Sequence, residues 1–479
     1  MEGGTVSDTF AELPMLDDVT GPHRSKSSST AATIDSRPTS RSVYVETYGC
    51  QMNVADSETV TSILGDAGFR LVSAPEEADI ILINTCAVRE NAEERVIGRA
   101  SQLNGLRRQR PDLTLGILGC MAQHLADSLP TRAPWVDLVA GPDTYGRLPA
   151  LLAETSDETL LDTRLSRQEN YIGVDPRRNR KATNAWVTII RGCDKFCTFC
   201  IVPYVRGRER SLPADEILRQ VRTLAEDGFR EVTLLGQTVN SYDDGNTDFA
   251  RLLRRVAAVD GIERVRFTSP YPVDFTDDVI AAMAETPQVC PSLHLPVQSG
   301  SETQLLAMQR GYTAVRYRQL VTALRKAVPD LALTTDIITG FCGETEQDFQ
   351  ATVDLMEEMR FDSAFMFKYS QRSGTQAART MPDDVPDPVK TERLQRVIEL
   401  QEEISRQINA TMVGQQVEVL VEGESRRPAD DGTTTQFGRS RQGKTTIFPE
   451  PVPANRVVRV AVERTTSHTL FGSVSEPVR

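Results

Sequence analysis

At 479 residues the chain is long enough for about three domains of roughly 150 residues each. Hydrophobic residues at 39% and charged residues at 25% describe a globular soluble chain. No apolar run approaches the roughly 18 residues of a spanning helix, and no basic start leads into an apolar stretch, so the protein is expected in the cytoplasm, without a membrane partner. With 54 Lys and Arg against 67 Asp and Glu the net charge is −13, so any nucleic-acid surface must be local rather than spread over the chain.

Residues 1–40 carry little apolar periodicity and end in a Ser/Thr-rich run, the composition of a disordered tail. From Val43 onward the apolar runs 43–45, 80–83, 113–118 and 136–140 read as buried parallel strands, with helices at 57–67 and 90–106 between them. Together they make an α/β domain over 41–160. The following stretch, 161–183, is polar from about Ser156 and carries Arg177, Arg178, Arg180 and Lys181, and it reads as a basic linker.

Strand-like runs then alternate with helical patterns six times, at 186–190, 232–235, 265–268, 293–297, 333–338 and 364–369. The intervening helices fall at 215–227, 249–259, 277–285, 313–328 and 346–359. Such alternation predicts a parallel sheet, here an incomplete (β/α)6 barrel over 184–385. An amphipathic helix follows, assigned to 386–411. The last stretch, 412–479, is rich in Val, Thr, Gly and Pro with short alternating runs, the pattern of a small β-barrel. The fold class is therefore α/β with an all-β C-terminal module.

Eight cysteines sit in a chain with no export signal, where metal or redox roles outweigh disulfides. Cys193, Cys197 and Cys200 form a C-x3-C-x2-C directly after the first barrel strand. Three thiolates on one loop can hold three irons of a four-iron, four-sulfur cluster and leave the fourth open to a substrate or cofactor. A zinc site is the alternative, but it needs a fourth ligand that this loop does not carry. Cys50, Cys86 and Cys120 lie 36 and 34 residues apart, yet each closes an apolar strand. If those strands are parallel neighbours, the three thiols meet at one sheet edge, where open α/β folds bind ligands; otherwise they are three separate buried cysteines. Cys290 and Cys342 read as packing residues.

The loop motif resembles that of the radical S-adenosylmethionine (SAM) enzymes, whose open iron chelates SAM and whose cluster electron cleaves it to a 5′-deoxyadenosyl radical. The order of the three modules is similar to that of the methylthiotransferases. Local segments match the branch that acts on N6-isopentenyladenosine in tRNA: Glu46-Thr47-Tyr48-Gly49-Cys50-Gln51-Met52-Asn53, Asn84-Thr85-Cys86-Ala87-Val88-Arg89-Glu90, Leu235-Gly236-Gln237-Thr238-Val239-Asn240-Ser241, His294-Leu295-Pro296-Val297-Gln298-Ser299-Gly300-Ser301 and Gly340-Phe341-Cys342-Gly343-Glu344-Thr345. The chain departs from the family pattern at Cys342 and Gln376, where Pro is usual, at Ser373, also usually Pro, and at Tyr271, usually His.

The resemblance implies two [4Fe-4S] clusters, one on Cys193, Cys197 and Cys200 and an auxiliary one on Cys50, Cys86 and Cys120 concerned with sulfur supply. It implies SAM contacts from Phe199, Gly236, Gln237 and Gln298, with the 340–344 loop nearby, and a C-terminal module similar to the TRAM domain, an RNA-binding barrel. The reaction it implies replaces hydrogen at C2 of the nucleoside next to the anticodon with a methylthio group, SAM serving as radical source and methyl donor. tRNA, an electron donor such as a flavodoxin or ferredoxin, and a sulfur source are the expected partners. Methylthiolation of threonylcarbamoyladenosine in tRNA or of a ribosomal-protein aspartate, and a non-catalytic iron-sulfur scaffold that binds RNA, are the competing readings.

In the C-terminal stretch 411–479 nine Lys and Arg face eight Asp and Glu, so the acidity lies elsewhere. Phe437, Arg439, Arg441 and Lys444 fall in one expected hairpin, a mixture suited to stacking and phosphate contacts.

Overall fold

A computed structural model describes residues 41–87, 90–154, 158–179, 182–425 and 434–477. The tail expected over 1–40 lies outside them, as do Arg180 and Lys181 of the basic cluster.

The N-terminal part is a six-stranded parallel sheet in the order β2-β1-β3-β4-β5-β6. Its strands are β1 (Ser42–Tyr48), β2 (Arg70–Leu71), β3 (Ile80–Thr85), β4 (Thr114–Gly119), β5 (Leu138–Ala140) and β6 (Leu160–Asp162). Every residue of β3 is buried because the apolar run Ile-Ile-Leu-Ile is covered on both faces. One face packs on Val96, Ala100 and Leu103 of helix Glu90–Asn104, the other on Val60 and Leu64 of helix Gln51–Asp66.

Two local expectations change. Helix Gln51–Asp66 begins six residues before the expected start at Ser57, because its buried residues include Asn53, Asp56, Ser57, Glu58 and Thr59 and so carry little apolar periodicity. The stretch read as linker supplies β6, paired with β5 from Leu138↔Leu160 to Ala140↔Asp162. Tyr171 then folds back, 7% exposed, and stacks on Tyr145.

The central part carries β7 (Asn184–Thr188), a two-residue ribbon of β8 (Ile190–Arg191) with β9 (Arg210–Ser211), and then β10 (Glu231–Leu235), β11 (Arg264–Phe267), β12 (Ser292–His294), β13 (Ala332–Thr339) and β14 (Ser363–Lys368). The parallel sets β11-β10-β7 and β12-β13-β14 are joined by a bridge between Val265 and Val289, which makes one open arc of six strands. Leu333 and Ile337 join the apolar core with Leu324 and Phe349 of the outer helices. Strand alternation therefore turns Thr334, Asp336 and Ile338 to the lumen.

Helix Asp387–Ala410 leads into a closed five-stranded barrel, β15 (Gln416–Glu424), β16 (Gln436–Ser440), β17 (Thr445–Phe448), β18 (Val457–Thr465) and β19 (Thr469–Pro477), in the order β15-β16-β17-β19-β18. Val417, Val419, Val421, Val458, Val460 and Val462 fill it, the inward half of two alternating strands. Among the described residues no helix is long and apolar enough to cross a membrane.

Candidate functional site

Register brings the first cysteine triad together. β1, β3 and β4 are adjacent, with Tyr48 opposite Thr85 and Thr85 opposite Gly119, so Cys50, Cys86 and Cys120 all emerge at the C-terminal edge of the sheet. The Cys86 amide donates to the Tyr48 carbonyl at 3.0 Å. A Cβ at Gly49, where φ is +152°, would stand 2.9 Å from that of Cys86, which is why the residue before Cys50 is glycine.

Cys50 caps helix Gln51–Asp66. A hydrogen bond from the Cys86 thiol, the Arg206 charge and the amides of Met52 and Asn53 lower the thiol of the exposed Cys50 to about 6. Burial pushes Cys120 up to about 11, opposed by Arg206. The Arg206 Nε donates to the Cys120 Sγ at 3.1 Å.

The second triad lies on the loop between β8 and helix Val202–Arg206. Burial pushes Cys193 to about 11 and Cys200 to about 12. Cys197, 8% exposed, accepts from Arg310 Nη1 at 3.2 Å. Arg310 is itself held by the Pro296 carbonyl at 2.9 Å, by the Tyr312 hydroxyl at 3.0 Å, and by the face of Tyr271 at 4.9 Å. Among the described residues no three His, Cys, Asp or Glu side chains close around one ion. A cubane instead takes each thiolate on a separate iron, and the guanidinium beside each triad favours the thiolate form that burial opposes; the donor set fits a cluster.

The two triads are neighbours. Ile201 and Val205 pack on Ala87 and Cys120. Arg191 and Arg206, which flank the 193–200 loop, both bind the fully buried Asp56 of helix Gln51–Asp66, at 3.0 and 2.8 Å. Nearby, His124 meets Glu93 at 3.2 Å and the Ser373 carbonyl at 3.0 Å, and the hydrogen bond to Glu93 raises the imidazole above its ordinary value.

The expected SAM contacts fall around the top of the arc in different ways. Gly236 follows β10, where a Cβ would stand 2.2 Å from Ile190 Cγ2, so the packing of Ile190 demands glycine. Gln237 holds a buried Oε1 with no partner among the described residues, an acceptor that the ammonium of an amino acid would satisfy. Gln298 is buried at 7% with φ of +75°, a strained backbone fixed by its bridge to Ile337. The Phe199 side chain packs on Phe341, ring centroids 6.4 Å apart. In the 340–344 loop, Glu344 is spent on the Gly340 amide at 2.7 Å and on Arg393 at 2.8 Å. Cys290 and Cys342 are buried.

The lumen also carries an aromatic and polar set missed in the sequence. Phe365 is 58% exposed, its ring 5.7 Å from that of His294, and His294 lies 3.3 Å from Asp336. Alternation along β12 to β14 was the available signal.

The basic side chains of the hairpin expected to meet RNA make contacts within the chain. Lys444 reaches Asp362 at 2.6 Å and Asn409 at 2.8 Å, and Arg441 reaches the Val289 carbonyl at 3.3 Å. Arg264 and Arg266 answer from β11, donating to the carbonyls of Arg439, Arg441 and Ser440 at 2.8 to 2.9 Å. Lys444 and Arg441 thus dock the small barrel onto the arc, because buried donors and acceptors on both sides require partners. Arg439 stays half exposed against Glu422 and Phe437 half buried. In the linker, Arg178 is buried against Glu58 at 3.7 Å and is not free for phosphate.

An arc of parallel strands with a three-cysteine loop at its first strand's C-terminal end defines a radical SAM protein. The Radical SAM superfamily model matches residues 187–356, Uncharacterized protein family UPF0004 matches 42–141 and the TRAM domain matches 410–475. SAM and a [4Fe-4S] cluster are therefore its cofactors.

The chain is 47% identical over 439 residues to the tRNA-2-methylthio-N(6)-dimethylallyladenosine synthase of Chlorobium phaeobacteroides, covering 91% of this chain and 98% of that protein. It is 48% identical over 448 residues to that of Porphyromonas gingivalis, covering 91% and 95%. With that of Mycolicibacterium vanbaalenii the identity is 46% over 419 residues, covering 85% and 82%. The chain belongs to the tRNA-2-methylthio-N(6)-dimethylallyladenosine synthase family. The fold alone is shared with the radical SAM methyltransferase TsrM from Kitasatospora setae, at a TM-score of 0.54 and 15% identity over 71% of this chain and 77% of that one.

Proposed function

We propose that this protein places a methylthio group on C2 of N6-isopentenyladenosine beside the anticodon of tRNA. Cys193, Cys197 and Cys200 hold the SAM-binding cluster, and Cys50, Cys86 and Cys120 hold a second [4Fe-4S] cluster. When bound, the first cluster with SAM supplies hydrogen abstraction and the methyl group, and the second supplies the sulfur path.

The observation that carries the reading is the juxtaposition of the two triads: helix Val202–Arg206, leaving the SAM loop, rests on Cys120 of the other triad. A carbon activated at the barrel mouth then lies beside the sulfur route. Around it this chain's own residues bind and orient. Gln237 and Gln298 meet the amino-acid end of SAM, the backbone at Phe199 meets its adenine, and Phe365 with His294 offers a stacking face to a base turned out of the anticodon loop. Phe437 and Arg439 offer stacking and phosphate contacts to the tRNA from the small barrel, with Arg177 as the partly exposed member of a second patch. The modules are 41–160, 161–183, 184–385, 386–411 and 412–479, with β6 across the first boundary completing the N-terminal sheet. An electron donor of the flavodoxin or ferredoxin kind and a sulfur source complete the cycle.

The test is anaerobic reconstitution with iron and sulfide, followed by reductant, SAM and three substrates in parallel. Methylthio product is expected on tRNA bearing isopentenyladenosine and not on tRNA bearing threonylcarbamoyladenosine or on a ribosomal protein. SAM left uncleaved under reductant favours the scaffold reading.

A further inference from the structure

Arg206 closes the helix that follows Cys200, yet its guanidinium belongs to the opposite site. Its Nε donates to Cys120 Sγ at 3.1 Å and its Nη2 to Asp56 Oδ2 at 2.8 Å, with the side chain 5% exposed. The other Asp56 oxygen takes Arg191 Nη1 at 3.0 Å, and Arg191 precedes Cys193 by two positions. One carboxylate on the N-terminal sheet's helix is thus gripped from both ends of the SAM-cluster loop. Arg206 alone adds a contact to sulfur.

A purely structural ion pair would need only the charge and one edge of the fork. Here the fork is divided: one edge faces a carboxylate and the Nε faces a thiol, a geometry that the compact ammonium of lysine does not reproduce. Arg310 shows the same device inside the arc, on Cys197 of the other triad.

We propose that Arg206 is a positioning residue for the sulfur-supplying cluster: it hydrogen-bonds the Cys120 thiolate, raises that cluster's reduction potential, and fixes its spacing from the cluster on the 193–200 loop. The inference rests on the assignment of Cys50, Cys86 and Cys120 to a cluster. Hydrogen bonds and positive charge at a ligating sulfur stabilise the reduced, more negative cluster, which sets the sign.

The test uses the full chain, reconstituted anaerobically, with Cys193, Cys197 and Cys200 changed to Ala so that only the N-terminal cluster contributes to an EPR-monitored titration. Arg206→Gln is expected to lower the reduced-to-oxidised ratio at fixed potential about tenfold, ~59 mV for a one-electron couple. Arg206→Lys should fall between that value and the parent. Arg191→Lys, which holds the same carboxylate without touching sulfur, should match the parent. With both clusters present, Arg206→Gln should broaden the inter-cluster distance distribution in pulsed EPR.

Arg206→Gln with full iron, an unshifted midpoint and an unchanged distance overturns the proposal. If that variant does not retain iron, equal midpoints for Arg206→Lys and Arg191→Lys overturn it instead. Absence of any cluster in the parent background would defeat the cluster assignment, a result distinct from an unshifted midpoint.

Discussion

Changing Asp56 to Asn removes one charge from a site where three are buried together. Asp56 is 0% exposed and its two partners, Arg191 and Arg206, are each 4% exposed. An exposed pair slightly shorter than these exists in the same molecule, Arg255 with Asp215 at 2.7 Å, with side chains 41% and 92% exposed. Distance therefore does not decide the energetics, and burial does. Removing one partner of a buried pair costs about 3–5 kcal/mol because the remaining charge has lost both water and its counter-ion. An exposed pair contributes about 0–1 kcal/mol.

Urea unfolding followed by tryptophan emission reads the difference. Trp186 lies on β7 against Met52, Ala55 and Leu235, so it reports separation of the N-terminal sheet from the arc. Asp56→Asn is expected to lower the first transition by about 3–5 kcal/mol, and Asp215→Asn by less than about 1 kcal/mol. Equal shifts for the two variants would refute the argument that the buried carboxylate ties the modules together.

Changing Cys193, Cys197 and Cys200 together to Ala should remove about half of the bound iron and all SAM cleavage, measured by iron assay and by 5′-deoxyadenosine release; cleavage surviving in that variant defeats the assignment. Changing Cys50, Cys86 and Cys120 to Ala should leave cleavage measurable while methylthio product disappears. Burial raises the Glu58 carboxyl from 4.5 to about 7, with Arg178 opposing the shift. The folded chain then keeps a proton that the unfolded chain releases, so this contribution to stability is complete below about pH 4.5 and is lost as pH rises through 7. Glu58→Gln should flatten that slope in urea titrations. Phe365→Ala should weaken tRNA binding by about 1–3 kcal/mol if a base stacks on it, whereas Lys444→Ala should lower stability more than it changes the salt dependence of tRNA binding.

The two cysteine triads and the strand alternation were legible because each rests on a local rule: ligand spacing on one loop, strand-end placement repeated at Cys50, Cys86 and Cys120, and period-two or period-3.6 apolar patterns. Contacts between modules were not. Arg206 lies 86 and 150 residues from its partners Cys120 and Asp56, and only the packing of helix Val202–Arg206 on the N-terminal sheet buries it. The same blindness ran the other way for Lys444 and Arg441, basic residues whose partners Asp362 and the Val289 carbonyl lie far away in sequence. Helix Gln51–Asp66 starts earlier than its apolar periodicity shows, because burial through Asn53, Asp56, Ser57 and Glu58 hides that periodicity.

The central claim is tested most directly by mass spectrometry of tRNA nucleosides from cells with and without this chain. Its loss should abolish the methylthio-isopentenyl nucleoside while the unthiolated isopentenyladenosine accumulates, and restoration of the chain should reverse both. An unchanged methylthio-isopentenyl level, or loss of the methylthio form of threonylcarbamoyladenosine instead, would contradict the account.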